Sequence, residues 1–182
     1  IEIVHYDTQT NPGNTRAAVQ RAIDEGTYAV LGPVFSGPIG ASMQIAQRAE
    51  IAQLVGGEAA GLTKQGNQFL FRTSLSQTAA MPKIANYLKN TVKAGSVAVV
   101  WVNNDFGKGG RDAIIPELEK AGIKVAADVA TEQGQADFAA DAIKIKNSNA
   151  DAVFVYLNEE ESARFLRAAK QQGITCLLYT SR

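Results

Sequence analysis

The sequence predicts an α/β fold of two lobes, each built on a mainly parallel sheet, and three observations predict it. Short apolar runs alternate with stretches whose apolar residues recur at helical spacing. Gly, Asn, Asp or Pro marks each change from one kind to the other. Several of the apolar runs are continuous, as in parallel strands covered on both faces. A βαβα chain of this kind forms a parallel sheet with right-handed crossovers and helices on both faces.

Strands are expected at residues 2–6, 28–32, 52–56, 69–72, 97–102, 125–129 and 153–157. Between the first two, Ala18, Val19, Ala22 and Ile23 share one helix face, with Asn11-Pro12 as a start and Gly26 as a stop. The same spacing recurs at Met81, Ile84, Ala85 and Leu88, at Phe138, Ala142 and Ile145, and at Ala163, Leu166 and Ala169, and all of these stripes read as core. Pro82 is expected in a first helical turn, and Pro116 is expected to kink a helix over 109–121. The polar stretch from Arg72 to Gln77 carries no helical stripe and separates two βα series, so the lobes are placed at 1–74 and 75–175.

With 182 residues and 46% hydrophobic content, the chain has ample material for a core. Its 18 basic and 18 acidic residues balance, which removes the electrostatic footprint that nucleic-acid or acidic-membrane binding requires. No apolar run approaches the roughly 20 residues that span a bilayer. The opening Ile1-Glu2-Ile3-Val4 starts directly in a strand-like pattern, so a preceding segment is expected to be missing. Cys176 is the one cysteine, which excludes an internal disulfide and a thiolate metal cluster. The ending 176–182 resembles the translated end of a sequencing-library transposon adapter and is set aside as a tail; the alternative is an ordinary strand over Leu177-Leu178-Tyr179.

Ligands of open α/β sheets bind beyond the carboxyl ends of the strands, so the segments there are the candidate sites. Ser36-Gly37 stands where a helix begins and offers either an anion site or an ordinary N-cap. Gly56-Gly57-Glu58 either lets a ligand approach the backbone, with Glu58 reaching a cation, or is a turn with a solvated carboxylate. Asn158 and Glu159 to Glu161 suit a capped helix start, where the macrodipole favours carboxylates, and Glu159 is also a candidate ligand contact. The glycines of Phe106-Gly107-Lys108-Gly109-Gly110 fit neither nucleotide fingerprint, because Asp112 stands where the last dinucleotide glycine belongs. His5 is the single histidine and is read as a strand residue, so neither a Ser/His/acid arrangement nor a histidine metal site is expected. No cofactor or metal is implied.

Taken in order, Tyr6-Asp7-Thr8, Asn11-Pro12, Val30-Leu31-Gly32-Pro33, Ser36-Gly37, Phe71-Arg72-Thr73, Asp105-Phe106-Gly107-Lys108-Gly109 and Asp137-Phe138 resemble the Leu/Ile/Val-binding class of periplasmic binding proteins. The resemblance covers residues 1–175. It implies a type I periplasmic binding protein with two Rossmann-like lobes that close on a ligand, truncated here at both ends. It further implies a receptor that is periplasmic or lipid-anchored, captures an amino acid or related small polar solute and delivers it to an ABC permease, with no enzymatic activity.

The resemblance puts Ser36 and Gly37 at the ligand carboxylate, and Gly57, Glu58 and Ala59 in a segment that normally carries Ser or Thr. Glu58 departs from that pattern. Phe106 falls at an aromatic ligand-lining position, and Asn158 and Glu159 fall where Leu/Ile/Val binders carry tyrosines. Two rival readings are a ligand-sensing domain of the same fold and a nucleotide- or sugar-handling α/β enzyme.

Overall fold

Asn11 and Pro12 open the first helix as expected: the Asn11 side chain accepts from the Asn14 N–H at 3.0 Å, and Pro12 occupies a position where no N–H is needed. The computed structural model describes the backbone of residues 1–180 and the side chains of residues 1–176. They form two units, Ile1–Ser76 and a second that begins at Gln77.

In the first unit, helix α1 (Pro12–Asp24) buries Thr15, Val19 and Ala22, and is followed by β1 (Ala29–Leu31), α2 (Ser36–Arg48), β2 (Ala52–Val55), a 3₁₀ turn (Ala60–Lys64) and β3 (Leu70–Arg72). The strands form a parallel sheet in the order β1-β2-β3, with Ala29 opposite Ala52 and Val55 opposite Arg72. Ile39, Met43, Val55, Leu62 and Leu70 make its core. Buried Gln53 stitches β2 to its surroundings, its amide donating to the Gly32 carbonyl at 3.0 Å and the Ser42 hydroxyl at 3.1 Å.

The strand expected at 2–6 is not formed. No strand pairs with it among the described residues, and a strand-like pattern without a ladder partner forms no strand. Ile1, Ile3 and Val4 are exposed there, and so is His5, which is therefore not the strand residue expected. The segment is tied instead to the end of α1, where the Tyr6 hydroxyl donates to Glu25 and Arg21 lies 5.6 Å over the Tyr6 ring.

The second unit runs α3 (Gln77–Tyr87), a π-helical turn (Leu88–Val92), β4 (Ser96–Val102), α4 (Asp105–Lys120), β5 (Lys124–Thr131), α5 (Ala139–Asn147), β6 (Ala152–Tyr156), α6 (Glu159–Gln171) and β7 (Leu177–Thr180). All pairings are parallel, in the order β5-β4-β6-β7. Every residue of β6 is buried, which is why that run carries no polar alternation. Helix α3 packs on α4, and α5 on α6. Residues 177–180, set aside from the sequence as a tail, run beside β6; such pairing needs main-chain groups alone. Residues 181–182 of that tail lie outside the described residues.

Three local expectations are corrected. Pro82 lies past the first turn of α3, whose buried Met81, Ile84 and Ala85 hold the helix together despite the lost backbone bond. The helix containing Pro116 starts at Asp105 rather than 109, because Asn104 caps it by accepting from the Gly107 N–H at 3.0 Å. The buried stripe of α6 is Phe165, Ala168 and Ala169, whereas Ala163 is exposed. The larger Phe165 turns the helix by one residue to reach the core.

Candidate functional site

Strands β1 and β2 end side by side, and the loops that leave them bring Ser36 against residues 57–59. Phe35, extended at φ −83° and ψ 140°, is the N-cap of α2 and makes no side-chain cap bond. Ser36 is thus the first helical residue, not the cap that was one of its two readings. Its hydroxyl, freed from capping, turns across to accept the Ala59 N–H at 3.2 Å, and the residue is only 1% exposed. Gly37 follows in the same turn, with open space where a side chain would stand.

Gly57 is buried, and a Cβ there would come 2.3 Å from Ile39 Cδ1, 2.9 Å from Leu62 Cδ1 and 3.3 Å from Ser36 Oγ. Only glycine lets this loop approach Ser36 so closely. Glu58 and Ala59 are half-buried, and both carbonyls face one cation. Arg72, at the end of β3, donates from Nη2 to the Ala59 carbonyl at 2.7 Å and from Nη1 to the Glu58 carbonyl at 3.3 Å. Burial holds its guanidinium pKa below the ordinary value, against the opposing pull of the Glu58 charge. The Thr73 hydroxyl donates to the Val55 carbonyl at 3.0 Å and that of Ser74 to the Gly57 carbonyl at 3.5 Å. From the sequence, Arg72, Thr73 and Ser74 marked a boundary; they also brace the loop.

The candidates of the second unit lie at the ends of β4 and β6. Phe106 is 4% exposed, its ring stacked on Tyr156 with centroids 4.2 Å apart, so within its unit it is a core residue. Gln77, fully buried, donates to the Phe106 carbonyl at 2.7 Å and to the Tyr156 hydroxyl at 3.1 Å. The neighbouring glycines have a packing cause. A Cβ on Gly107 would lie 1.8 Å from the Val102 carbonyl oxygen, and one on Gly110 would lie 2.1 Å from Tyr156 Cε1. They let α4 sit tightly on the sheet, a role unrelated to phosphate.

Asn158 is the N-cap of α6, and the buried carboxylate at this helix start belongs to Glu161. It accepts from the Asn158 N–H at 3.2 Å, the Asn158 amide at 2.9 Å and the Gly134 N–H at 2.6 Å. Glu160 pairs with Arg164 at 3.1 Å, and Glu159 is exposed in the first turn. Glu161 was missed as an individual residue, yet the Asn158-x-x-Glu161 spacing of a capping box signals it. Among the described residues no group of three His, Cys, Asp or Glu could hold a metal, and no helix is long and apolar enough to cross a membrane.

This arrangement of parallel sheets is shared with known proteins. A leucine-binding protein from Thermotoga maritima superimposes with a TM-score of 0.92 at 25% identity, over 98% of this chain and 51% of that one. A solute-binding protein from R. palustris in complex with 4-hydroxybenzoate superimposes with a TM-score of 0.91 at 23% identity, over 97% and 50%. In sequence, the chain is 25% identical over 175 residues to the Leu/Ile/Val-binding protein of Escherichia coli (strain K12), covering 96% of this chain and 48% of that protein. The chain thus spans about half the length of the relatives it matches. Residues 1–181 match the family model described as periplasmic binding protein. The chain belongs to the periplasmic binding protein family and has its type I fold.

Proposed function

We propose that a protein carrying this chain is the solute receptor of an ABC importer, working outside the cytoplasm, and that it captures a small carboxylate-bearing solute of the amino-acid class. The observation that carries this reading is the Ser36 hydroxyl at the start of α2, drawn against the Gly57–Ala59 loop by the Ala59 N–H. An oxygen that accepts from the backbone keeps its own hydrogen for an acceptor, and the start of a helix favours a negative one. The relatives named above bind leucine, the Leu/Ile/Val group or 4-hydroxybenzoate, and a carboxylate is what these ligands share. Ser36, Gly37, Gly57 and Ala59 are proposed as the carboxylate-holding groups, and Glu159 as a ligand contact of the second unit. Glu58, whose side chain departs from the Ser or Thr of the family pattern, and Asn158 are proposed as neighbours that tune the choice of solute. The role is binding and delivery to a permease rather than catalysis.

Titration calorimetry with L-leucine, L-isoleucine and 4-hydroxybenzoate tests this. Ser36→Ala is expected to weaken the tightest of these by about 1–3 kcal/mol, since a charge-assisted hydrogen bond is lost, and to lower stability by about 1 kcal/mol, since the Ala59 N–H loses its acceptor. Equal affinity in the variant would remove Ser36 from the site. Selective binding of 4-hydroxybenzoate would move the substrate class from amino acids to aromatic acids while leaving the carboxylate site in place.

A further inference from the structure

We propose that Arg72 is a positioning residue: it turns the Glu58–Ala59 peptide so that the Ala59 N–H engages Ser36 and sets the serine hydroxyl for an anionic ligand group. The inference rests on the carboxylate reading of Ser36 given above.

The geometry is that of one peptide plane. The Glu58–Ala59 bond is trans, so its carbonyl and its N–H point in opposite directions. Arg72 Nη1 lies 3.3 Å from the Glu58 carbonyl oxygen on one side, and Ser36 Oγ lies 3.2 Å from the Ala59 nitrogen on the other. The next carbonyl, that of Ala59, is drawn to the same guanidinium at 2.7 Å, and Thr63 Oγ1 accepts from it at 3.4 Å. Two successive carbonyls held by one rigid fork leave the intervening N–H a single direction. The loop has little freedom to escape this, because Gly57 is already enclosed by Ile39, Leu62 and Ser36.

The Nε donor of the guanidinium supports the assignment. Arg72 Nε is buried without a hydrogen-bond partner, so the side chain leaves one of its own donors unmet while keeping its fork on the two carbonyls. Bonds from a cation to carbonyls are directional and stronger than neutral ones, and these two are part-buried. Ser36 Oγ, having accepted the Ala59 N–H, donates to no acceptor among the described residues.

Hydrogen exchange of the Ala59 amide in the ligand-free protein carrying this chain, taken as a ratio to that of Gln53, reads the peptide orientation directly. The Gln53 N–H is bonded to the Phe69 carbonyl at 2.8 Å and reports the stability of the same unit. Arg72→Met is expected to raise the ratio about 10-fold. Arg72→Lys, a point charge that reaches one carbonyl at a time, is expected to raise it about 3-fold, and carries the test if the Met variant does not fold. A purely structural role would speed both amides together, and an unchanged ratio overturns the proposal. Calorimetry with L-leucine and 4-hydroxybenzoate completes the test, with about a 10-fold weakening expected in Arg72→Met. Unchanged affinity in a variant with an altered Ala59 ratio would also overturn it. If neither compound binds the unsubstituted protein, the carboxylate reading falls, and the exchange ratio still decides whether Arg72 orients the peptide.

Discussion

The first unit packs Ile39, Met43, Val55, Leu62 and Leu70 into its core, whereas the second packs a far longer set running from Met81 to Ala169. Both are written in the same alternation of apolar run and helical stripe. The difference lies in strand length and in what covers the sheet. Strand β1 has three residues, with Leu31 75% exposed, while β4 has seven and all of β6 is buried. Phe71 of β3 is exposed too, so apolar residues of the first sheet remain in contact with solvent. An apolar run in the sequence reports that a strand can be covered on both faces, and the packing decides whether it is. The smaller core also carries more of the proposed binding chemistry, which suits a region that must adjust to a ligand.

The largest expected effect follows from that asymmetry. Tyr156 is fully buried between Phe106 and Phe154, and its hydroxyl accepts from Gln77. Tyr156→Ala should cost about 3–5 kcal/mol, read as a shift in denaturant midpoint of the second unit. Native-state hydrogen exchange on the unsubstituted protein should rank β4 and β6 amides as the slowest, with β1 amides about 10-fold faster or more. Equal protection in β1 and β4 would mean that the small core is as well held as the large one, and the comparison would fail.

A smaller effect separates packing from ligand chemistry in the first unit. Gly57→Ala must push the Ile39 and Leu62 side chains aside, which is expected to cost about 1–3 kcal/mol. Because flexible side chains rather than backbone atoms block the new methyl, the unit should still fold, with the loop displaced from Ser36. Thermal melting and calorimetry on one preparation check this. Loss of stability with undiminished ligand affinity would show that the close approach of Gly57 serves the core alone.

How much of this was legible depended on range. Local signals translated well: Asn11-Pro12 opened α1 as expected, and three of the four helical stripes became core. Signals that depend on a partner did not. Residues 2–6 have a strand-like pattern, yet a strand exists only through its ladder, and among the described residues no partner pairs with them. The stripe of α6 was read through Ala163 and Leu166, while the bulk of Phe165 settled which face turned inward. At the site, Ser36 was singled out, but capping was an open alternative until Phe35 took that place. Arg72 escaped notice as a site residue because its partners are carbonyls thirteen and fourteen residues away, and no side-chain spacing encodes a bond to a backbone oxygen.

The smallest effect concerns how each unit fastens its sheet. In the second, Asp151 stands just before β6, and one carboxylate oxygen accepts from the Gly95 N–H at 2.9 Å, the Ser96 N–H at 2.8 Å and the Ser96 hydroxyl at 3.0 Å. These bonds, the Ser96 hydroxyl first among them, hold the carboxyl pKa below its ordinary value. In the first unit the comparable stitch is Gln53, a neutral amide with no titration. The unfolded Asp151 carboxyl titrates at about pH 4, so its contribution is complete above that pH and disappears as the pH falls through the lower folded-state value. Acid should therefore loosen the starts of β4 and β6 while leaving the Gln53 stitch unchanged. Because Asp151 is exposed, the effect is small and is best read locally, as exchange of the Ser96 amide between about pH 5 and pH 2 after correction for intrinsic rates. Asp151→Asn should flatten that pH dependence. An equally steep profile in the variant would assign the acid sensitivity of these strand starts to other carboxylates and leave the two stitches alike.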